Sequence, residues 1–116
     1  MERIKFNYKE INNLKATCGV YIFLLERNDT LSQKRYLYAG ASKNVKIRLQ
    51  QHLYTRTAGN MFSFFLSFYH LWFTDYTLII EIIPCDYLEL KTKEIELFKQ
   101  YEPLFNFTDK LYTYYR

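Results

Sequence analysis

The sequence predicts an α+β protein in which a small three-stranded antiparallel sheet is flanked by helices. Short apolar runs, each bounded by glycine, proline or polar residues, predict the three strands. Segments with apolar residues three or four positions apart predict the helices. A chain of 116 residues fits a single domain spanning residues 1–116. We expect its core at about residues 17–107, between a short N-terminal lead-in and an aromatic C-terminal tail.

The first two strands are predicted to form a hairpin. The lead-in contains a candidate short helix over residues 8–14 and is expected to cover one end of the sheet. The first strand is predicted within residues 19–25 and the second within residues 35–40. Residues 26–34 between them are mostly polar, which is typical of a loop that joins antiparallel strands.

Alternation along these strands predicts which side chains share a face. Successive side chains of a strand point to opposite faces of the sheet. Tyr21 and Phe23 are therefore expected on one face of the first strand, and Tyr36 and Tyr38 on one face of the second. The first run is apolar throughout, which favours a strand that is covered on both sides.

A basic amphipathic helix is predicted over residues 44–54. Its apolar positions recur every four residues: Val45, Leu49 and Leu53. Arg48 and His52 lie one helical turn apart at the border of this apolar stripe. A cation at the edge of a core costs desolvation free energy unless an anion meets it. The simpler alternative is an arginine whose aliphatic stem covers its own core.

A second helix and the third strand are predicted over residues 61–73 and 76–83. The helix is apolar nearly all round, which favours a core position over the alternative of an aromatic ridge for a partner. It is too short to cross a bilayer, so no membrane partner is expected. Pro84 ends the strand, whose apolar character is broken chiefly by Glu81.

The last helix is predicted from Asp86 to about Tyr101, before Pro103. Asp86 and Glu89 have the spacing of a capping box. Glu94 falls near the middle of the apolar arc of this helix, where a carboxylate is costly unless it is paired or binds a cation. A functional carboxylate is the favoured interpretation, and a buried salt bridge, for instance to Arg48, is the alternative.

Positive charge is concentrated in the middle of the sequence. No Asp or Glu occurs from residue 30 to residue 74, whereas from residue 75 onward acids outnumber bases. The six cations of the middle segment are Lys34, Arg35, Lys43, Lys46, Arg48 and Arg56. Such a cluster indicates contact with a polyanion. A chance fluctuation in a chain of net charge +4 is the alternative.

The two cysteines, Cys18 and Cys85, lack the spacing of a zinc site. They predict two buried free thiols in a reducing compartment. Residues 1–15 alternate charged and apolar side chains and do not resemble a signal peptide. We therefore expect an intracellular, cytoplasmic protein, and a phage, viral or mobile-element origin fits that expectation.

Five features in order resemble the GIY-YIG nuclease domain family. They are Gly19-Val20-Tyr21, Tyr38-Ala39-Gly40, Arg48, Glu94 and Asn106. His52, four residues past the arginine, is a supporting match to the family. The closing pattern from Glu94 to Asn106 is similar to the excision-repair incision-subunit type of this domain. Two departures are Ala39, where the family usually has Ile or Val, and a longer connector between the motifs. Neither departure removes a reacting group.

The resemblance implies a metal-dependent endonuclease that hydrolyses DNA phosphodiester bonds. Glu94 would hold one divalent cation, Mg²⁺ or Mn²⁺. Arg48 would grip the phosphate, Tyr21 would act as general base or orient the water, and Tyr38 would assist. The implied catalytic set is Tyr21, Tyr38, Arg48, His52, Glu94 and Asn106, and the implied nucleic-acid contacts are Lys43, Lys46, Arg48 and Arg56. Because the free pKa of tyrosine is near 10, the metal and Arg48 are expected to lower it.

Substrate choice is less constrained. No zinc finger or helix-turn-helix follows the core pattern, so we expect a stand-alone nuclease that is weakly sequence-selective or structure-selective. Phosphate contacts bind without reading sequence. One active site cuts one strand at a time, so double-strand cleavage would need two sites or two encounters. A homodimer or a larger nuclease assembly is therefore a possible partner arrangement. The alternatives are a ribonuclease and a non-catalytic nucleic-acid-binding or interaction module that retains the fold.

Overall fold

A sheet of four antiparallel strands organises the structure, a computed structural model that describes residues 1–29, 33–54 and 61–106. The elements in chain order are β1 (Glu2–Lys5), α1 (Tyr8–Asn12), β2 (Gly19–Arg27), β3 (Lys34–Ser42), α2 (Val45–Tyr54), α3 (Met61–Trp72), β4 (Tyr76–Pro84) and α4 (Leu90–Tyr101). A short 3₁₀ turn, Tyr87–Glu89, precedes α4. The predicted α+β class and the hairpin of β2 and β3 are confirmed.

The sheet has one strand more than the three that were predicted. The strand order is β1-β4-β2-β3, and β1 pairs with β4 at one edge. Only Ile4 of β1 is buried, while its neighbours in the strand are exposed. A four-residue edge strand with one inward side chain has almost no periodic signal, and its hydrogen bonds are made with a strand more than 70 residues away. The lead-in therefore completes the sheet.

A bulge in β3 overturns the prediction that Tyr36 and Tyr38 share a face. Phe23 of β2 is opposite Tyr38, and the next residue, Leu24, is opposite Tyr36. Leu37 is therefore the inserted residue of the bulge and has no opposite residue in β2. An inserted residue moves the side chains beyond it to the opposite face of the sheet. Tyr36 consequently stacks on the α4 side of the sheet, and Tyr38 stacks on the α3 side.

Each face of the sheet carries its own apolar core. The larger core lies under α1, α2 and α3 and includes Tyr21 and Phe23, as their alternation predicted. The smaller core lies under α4 and joins five buried side chains: Val20, Ile22, Ala39, Leu97 and Phe98. The strand β2 is buried along nearly its whole length because helices cover both of its faces. The site described below draws on both layers.

Helix α3 is buried on one face, as the favoured core interpretation predicted, and its opposite face is exposed. Phe62, Phe65 and Leu66 are buried against the sheet. The opposite face exposes Phe64, Phe68, Leu71 and Trp72. No helix within residues 1–29, 33–54 and 61–106 combines the length and apolar character that crossing a bilayer requires.

Helix α4 begins later than predicted, and the predicted capping box at Asp86 is wrong. Asp86 precedes the 3₁₀ turn, and its side chain makes no capping hydrogen bond. Glu89, expected as the third helical residue, is instead the residue immediately before α4. A capping box needs three α-helical positions after the cap, and the 3₁₀ turn occupies them.

Candidate active site

The side chain of Tyr21 is buried at the centre of the candidate site. Its side chain points towards α2 and α3 from the middle of the sheet, and only 1% of its surface is exposed. In the register of β2 and β3, Tyr21 is directly opposite Gly40. A Cβ atom at position 40 would lie 2.5 Å from the Tyr21 hydroxyl oxygen and 2.6 Å from Cζ. The phenol therefore occupies the space that the glycine leaves open.

His52 is the hydrogen-bond partner of this phenol. The Tyr21 hydroxyl and Nε2 of His52 lie 3.1 Å apart in the buried interior. Leu49 and Leu53 anchor the same helix, α2, in the larger core, and this holds His52 over the sheet. The imidazole contacts the edges of Phe23 and Phe62, which confine its orientation. A buried phenol joined to a buried imidazole can transfer a proton between them.

Arg48 lies one turn before His52 on α2 and is half-buried. Its Nη1 donates a hydrogen bond to Oε1 of Gln51 at 3.0 Å. The guanidinium also lies close enough to Tyr21 that its charge and its hydrogen bonding favour the phenolate. Arg48 thus places positive charge beside the buried hydroxyl, with part of its surface open to solvent.

Burial raises the pKa of Tyr21 well above its ordinary value, and this rise exceeds the expected lowering by Arg48. Burial is the largest cause, and the neighbouring Tyr38 adds to it. Arg48 lowers the pKa and Glu94 raises it, but neither outweighs desolvation. The sequence could not show this because the extent of burial depends on three helices and the sheet. Burial between these elements therefore favours the neutral phenol over the phenolate.

Glu94 approaches the site from α4 on the other layer. Only 4% of its surface is exposed, in agreement with the predicted position in the apolar arc. Leu97 and Phe98, the next turn of α4, pack on Val20 and Ile22 of β2. Glu94 therefore lies nearer the end of the sheet where β2 begins, and its charge acts on the Tyr21 hydroxyl.

Tyr38 lies beside Tyr21 on the same layer. Its ring stacks on Phe62 of α3, with ring centroids 4.5 Å apart and an interplanar angle of 6°. The side chain is 4% exposed, and its ring edge faces His52. The structure thus brings Tyr21, Tyr38, Arg48 and His52 together from β2, β3 and α2, and the charge of Glu94 on α4 reaches Tyr21 from the other layer.

Phe62 and Gln51 were not among the residues that the sequence singled out. Phe62 supports both Tyr38 and His52, and Gln51 accepts the hydrogen bond of Arg48. Gln51 is three residues from Arg48 on one helix, so the spacing could have suggested the contact. Phe62 is one of many aromatic residues in α3, and only the packing distinguishes it.

Asn106 acts on the backbone of β3 and not on the reacting groups. Its Oδ1 accepts a hydrogen bond from the Ala39 backbone N–H at 2.6 Å, and its Nδ2 donates to the Ala39 carbonyl at 3.0 Å. The backbone N–H groups of Leu104 and Phe105 also donate to carbonyls of β3. Because β3 is an edge strand, this segment satisfies backbone groups that no neighbouring strand can reach.

We predict that Asn106→Ala lowers the free energy of unfolding by about 2–5 kcal/mol, because it leaves two buried backbone groups without partners. Chemical denaturation followed by circular dichroism measures this change. Asn13→Ala, on the exposed end of α1, is the matched control and should change stability little. Equal stability of the two variants would show that the clamp on Ala39 contributes nothing.

The predicted nucleic-acid contacts lie on the surface near this site or outside the described residues. Lys43 is exposed in the turn between β3 and α2, and its Nζ lies 4.4 Å from the centroid of the Tyr87 ring. Lys46 is half-exposed on α2. Arg56 lies outside the described residues. Lys43, Lys46 and Arg48 therefore follow one another along the turn and first turns of α2.

Comparison with known families identifies the chain. The family model described as the GIY-YIG catalytic domain matches residues 17–108. The chain belongs to this family and is an endonuclease of the GIY-YIG type. The resemblance to the family and to its excision-repair incision type is confirmed. No curated protein matches the chain at a significant level.

Solved structures of one bacterial domain resemble the fold. The chain is similar to the GIY-YIG N-terminal endonuclease domain of UvrC from Thermotoga maritima, a tyrosine-to-phenylalanine mutant bound to its catalytic divalent cation. The identity is 25% and the TM-score 0.56, over 86% of this chain and 98% of that domain. A second such mutant of the same domain has 22% identity and a TM-score of 0.53, over 86% and 98% of the two chains.

Proposed function

We propose that this endonuclease hydrolyses DNA phosphodiester bonds with one divalent cation, Mg²⁺ or Mn²⁺, held by Glu94. The observation that carries the proposal is the buried hydrogen bond between Tyr21 and His52, 3.1 Å long, within electrostatic reach of both Arg48 and Glu94. A proton-transfer pair, a cation and a carboxylate are the groups that phosphodiester hydrolysis requires.

The donor set fits a magnesium-type site. Within the described part of the chain, no three His, Cys, Asp or Glu side chains lie close enough to hold a metal ion jointly. That argues against a zinc site, which needs several protein ligands. A single carboxylate completed by water and substrate oxygens suits Mg²⁺. The similar UvrC domain is bound to a catalytic divalent cation, which supports the same requirement here.

The phenol acts as a neutral relay in this proposal. Burial raises the pKa of Tyr21 and so favours the neutral phenol. Tyr21 can nevertheless accept a proton from the attacking water while it passes its own proton to Nε2 of His52. Tyr38, packed beside it, orients the water through its hydroxyl. Asn106 contributes by holding the backbone between Tyr38 and Gly40.

Arg48 binds the phosphate in the same proposal. Its guanidinium has donors left after the bond to Gln51, and the half-buried position strengthens its attraction for an anion. A divalent cation at Glu94, when bound, supplies further positive charge beside the phosphate. Lys43 and Lys46 extend the positive surface along the nucleic-acid backbone. Such contacts read no sequence, so selectivity is expected to be weak or based on structure.

We predict magnesium-dependent nicking of supercoiled DNA that depends on the Tyr21 hydroxyl. Tyr21→Phe keeps the ring but removes the proton relay, and activity should fall by about 10²-fold or more. The measurement is conversion of plasmid to the nicked form with Mg²⁺ and with EDTA. A parallel assay on labelled RNA tests the alternative substrate.

Tyr8→Phe is the matched control, since Tyr8 is an exposed phenol on α1. It should leave nicking near the wild-type rate. Cleavage that persists in EDTA, or that is equal in the Tyr21→Phe and Tyr8→Phe variants, would contradict the proposal. Cleavage of RNA in preference to DNA would mean that the substrate is RNA, and the assignment of the active site would stand.

A further inference from the structure

Cys18 and Cys85 face each other where β2 and β4 meet beside the site. In the antiparallel register Gly19 is opposite Pro84, so Cys18 and Cys85 are the next pair outward. The backbone N–H of Cys85 donates to the carbonyl of Cys18 at 3.1 Å, which shows that the pairing continues through this position. The two cysteines are free, and both are partly exposed instead of buried as predicted.

Their side chains leave the sheet on the same face. Cys85 packs against the small core under α4 that contains Val20. Cys18 precedes Val20 by two residues, and alternation along a strand places it on that face too. Directly opposed residues of a hydrogen-bonded antiparallel pair have Cα atoms about 5.5 Å apart. That separation lies within the range of about 4.4–6.8 Å that a disulfide spans.

The neighbouring residues hold the two strands together at this point. A Cβ atom on Gly19 would lie 2.6 Å from the Ile83 carbonyl oxygen, so the backbones are in close contact. Burial raises the pKa of Cys85, and the nearby Cys18 raises it further. The paired backbones therefore hold the two cysteines at a Cα separation within the range that a disulfide spans.

We propose that Cys18 and Cys85 form a redox-sensitive pair that closes to an intramolecular disulfide with a small-molecule disulfide such as oxidised glutathione. One thiolate attacks the oxidant and expels a first glutathione thiolate, which leaves a mixed disulfide. The second thiolate attacks the protein sulfur of that mixed disulfide and expels the second glutathione. The two cysteines lose two protons and two electrons, and the oxidant becomes two glutathione thiols.

The cross-link would join the two segments that carry the reacting groups. Cys18 is three residues before Tyr21 on β2, and Cys85 precedes the turn that leads to Glu94 on α4. The bond would also close a long loop of the unfolded chain, which stabilises the folded state. The inference rests on the geometry of the paired strands and is independent of the proposed catalytic roles.

Intact-mass spectrometry of the folded protein after incubation with oxidised glutathione tests the pair. The wild type should lose the mass of two hydrogen atoms, retain no glutathione and recover its original mass with dithiothreitol. Closure should accelerate from about pH 7 to about pH 9, because the raised pKa of Cys85 limits its thiolate at the lower pH. Oxidation should also raise the melting temperature.

Cys18→Ser and Cys85→Ser are matched controls, each with one thiol left. Each should retain one glutathione and show no rise in melting temperature on oxidation. Stable glutathione adducts on the wild type, disulfide-linked dimers as the main product, or an unreacted wild type would each overturn the inference.

Discussion

Glu94→Gln is expected to lower metal-dependent cleavage by about 10²–10³-fold while the domain stays folded. Glutamine has nearly the same shape, so the packing of α4 on the sheet is kept. The substitution removes the negative charge of a side chain that is only 4% exposed and that acts on the Tyr21 hydroxyl. Initial rates of plasmid nicking across a Mg²⁺ titration measure the loss.

Glu96→Gln is the matched control on the same helix. Its carboxylate is exposed and pairs with Lys93 at 3.6 Å, an arrangement that contributes little to stability. It should leave cleavage near the wild-type rate. If Glu94 were instead a structural partner of Arg48, Glu94→Gln would lower thermal stability and leave the Mg²⁺ dependence of the remaining activity unchanged. That pair of results would contradict the metal-binding role.

Gly40→Ala is expected to reduce cleavage by about 10²-fold, because it must displace the phenol. The added methyl group would lie 2.5 Å from the Tyr21 hydroxyl oxygen, far inside van der Waals contact. Tyr21 is buried between the sheet and the helices, so its ring can move only if its neighbours also shift. The hydroxyl would leave its position 3.1 Å from His52. Nicking rates and a thermal melt separate lost activity from lost stability.

A double-mutant cycle shows whether this effect passes through the Tyr21 hydroxyl. In the Tyr21→Phe background, Gly40→Ala should cost much less activity than it does in the wild type, since the proton relay is already gone. Additive losses in the double variant would mean that Gly40 acts on cleavage by another route. The comparison requires that all three variants show a cooperative melt.

Much of the candidate site could be predicted because its signals are local. The position of Glu94 in an apolar arc and the spacing of Arg48 and His52 follow from helical periodicity within a single element. The burial found for Glu94 and His52 agrees with those patterns. The family resemblance then related these elements to one another, which periodicity alone could not do.

The features that the sequence did not show depend on contacts between distant segments. The bulge at Leu37 turns Tyr36 away from Tyr38, and only the register with β2 reveals it. The strand β1 exists because β4 offers it an edge. The clamp of Asn106 on Ala39 joins residues 67 positions apart. The high pKa of Tyr21 arises from burial by several elements at once.

The most direct test of the site is to locate a bound divalent cation relative to Tyr21 and Arg48. Anomalous diffraction from crystals soaked in Mn²⁺ locates such an ion without any assay of cleavage. We expect one peak at the Glu94 carboxylate, on the side that faces Tyr21 and Arg48, and its disappearance in Glu94→Gln. A peak at another position in both the wild type and Glu94→Gln, or no peak at Glu94 in the wild type, would contradict the claim that Glu94 binds the cation.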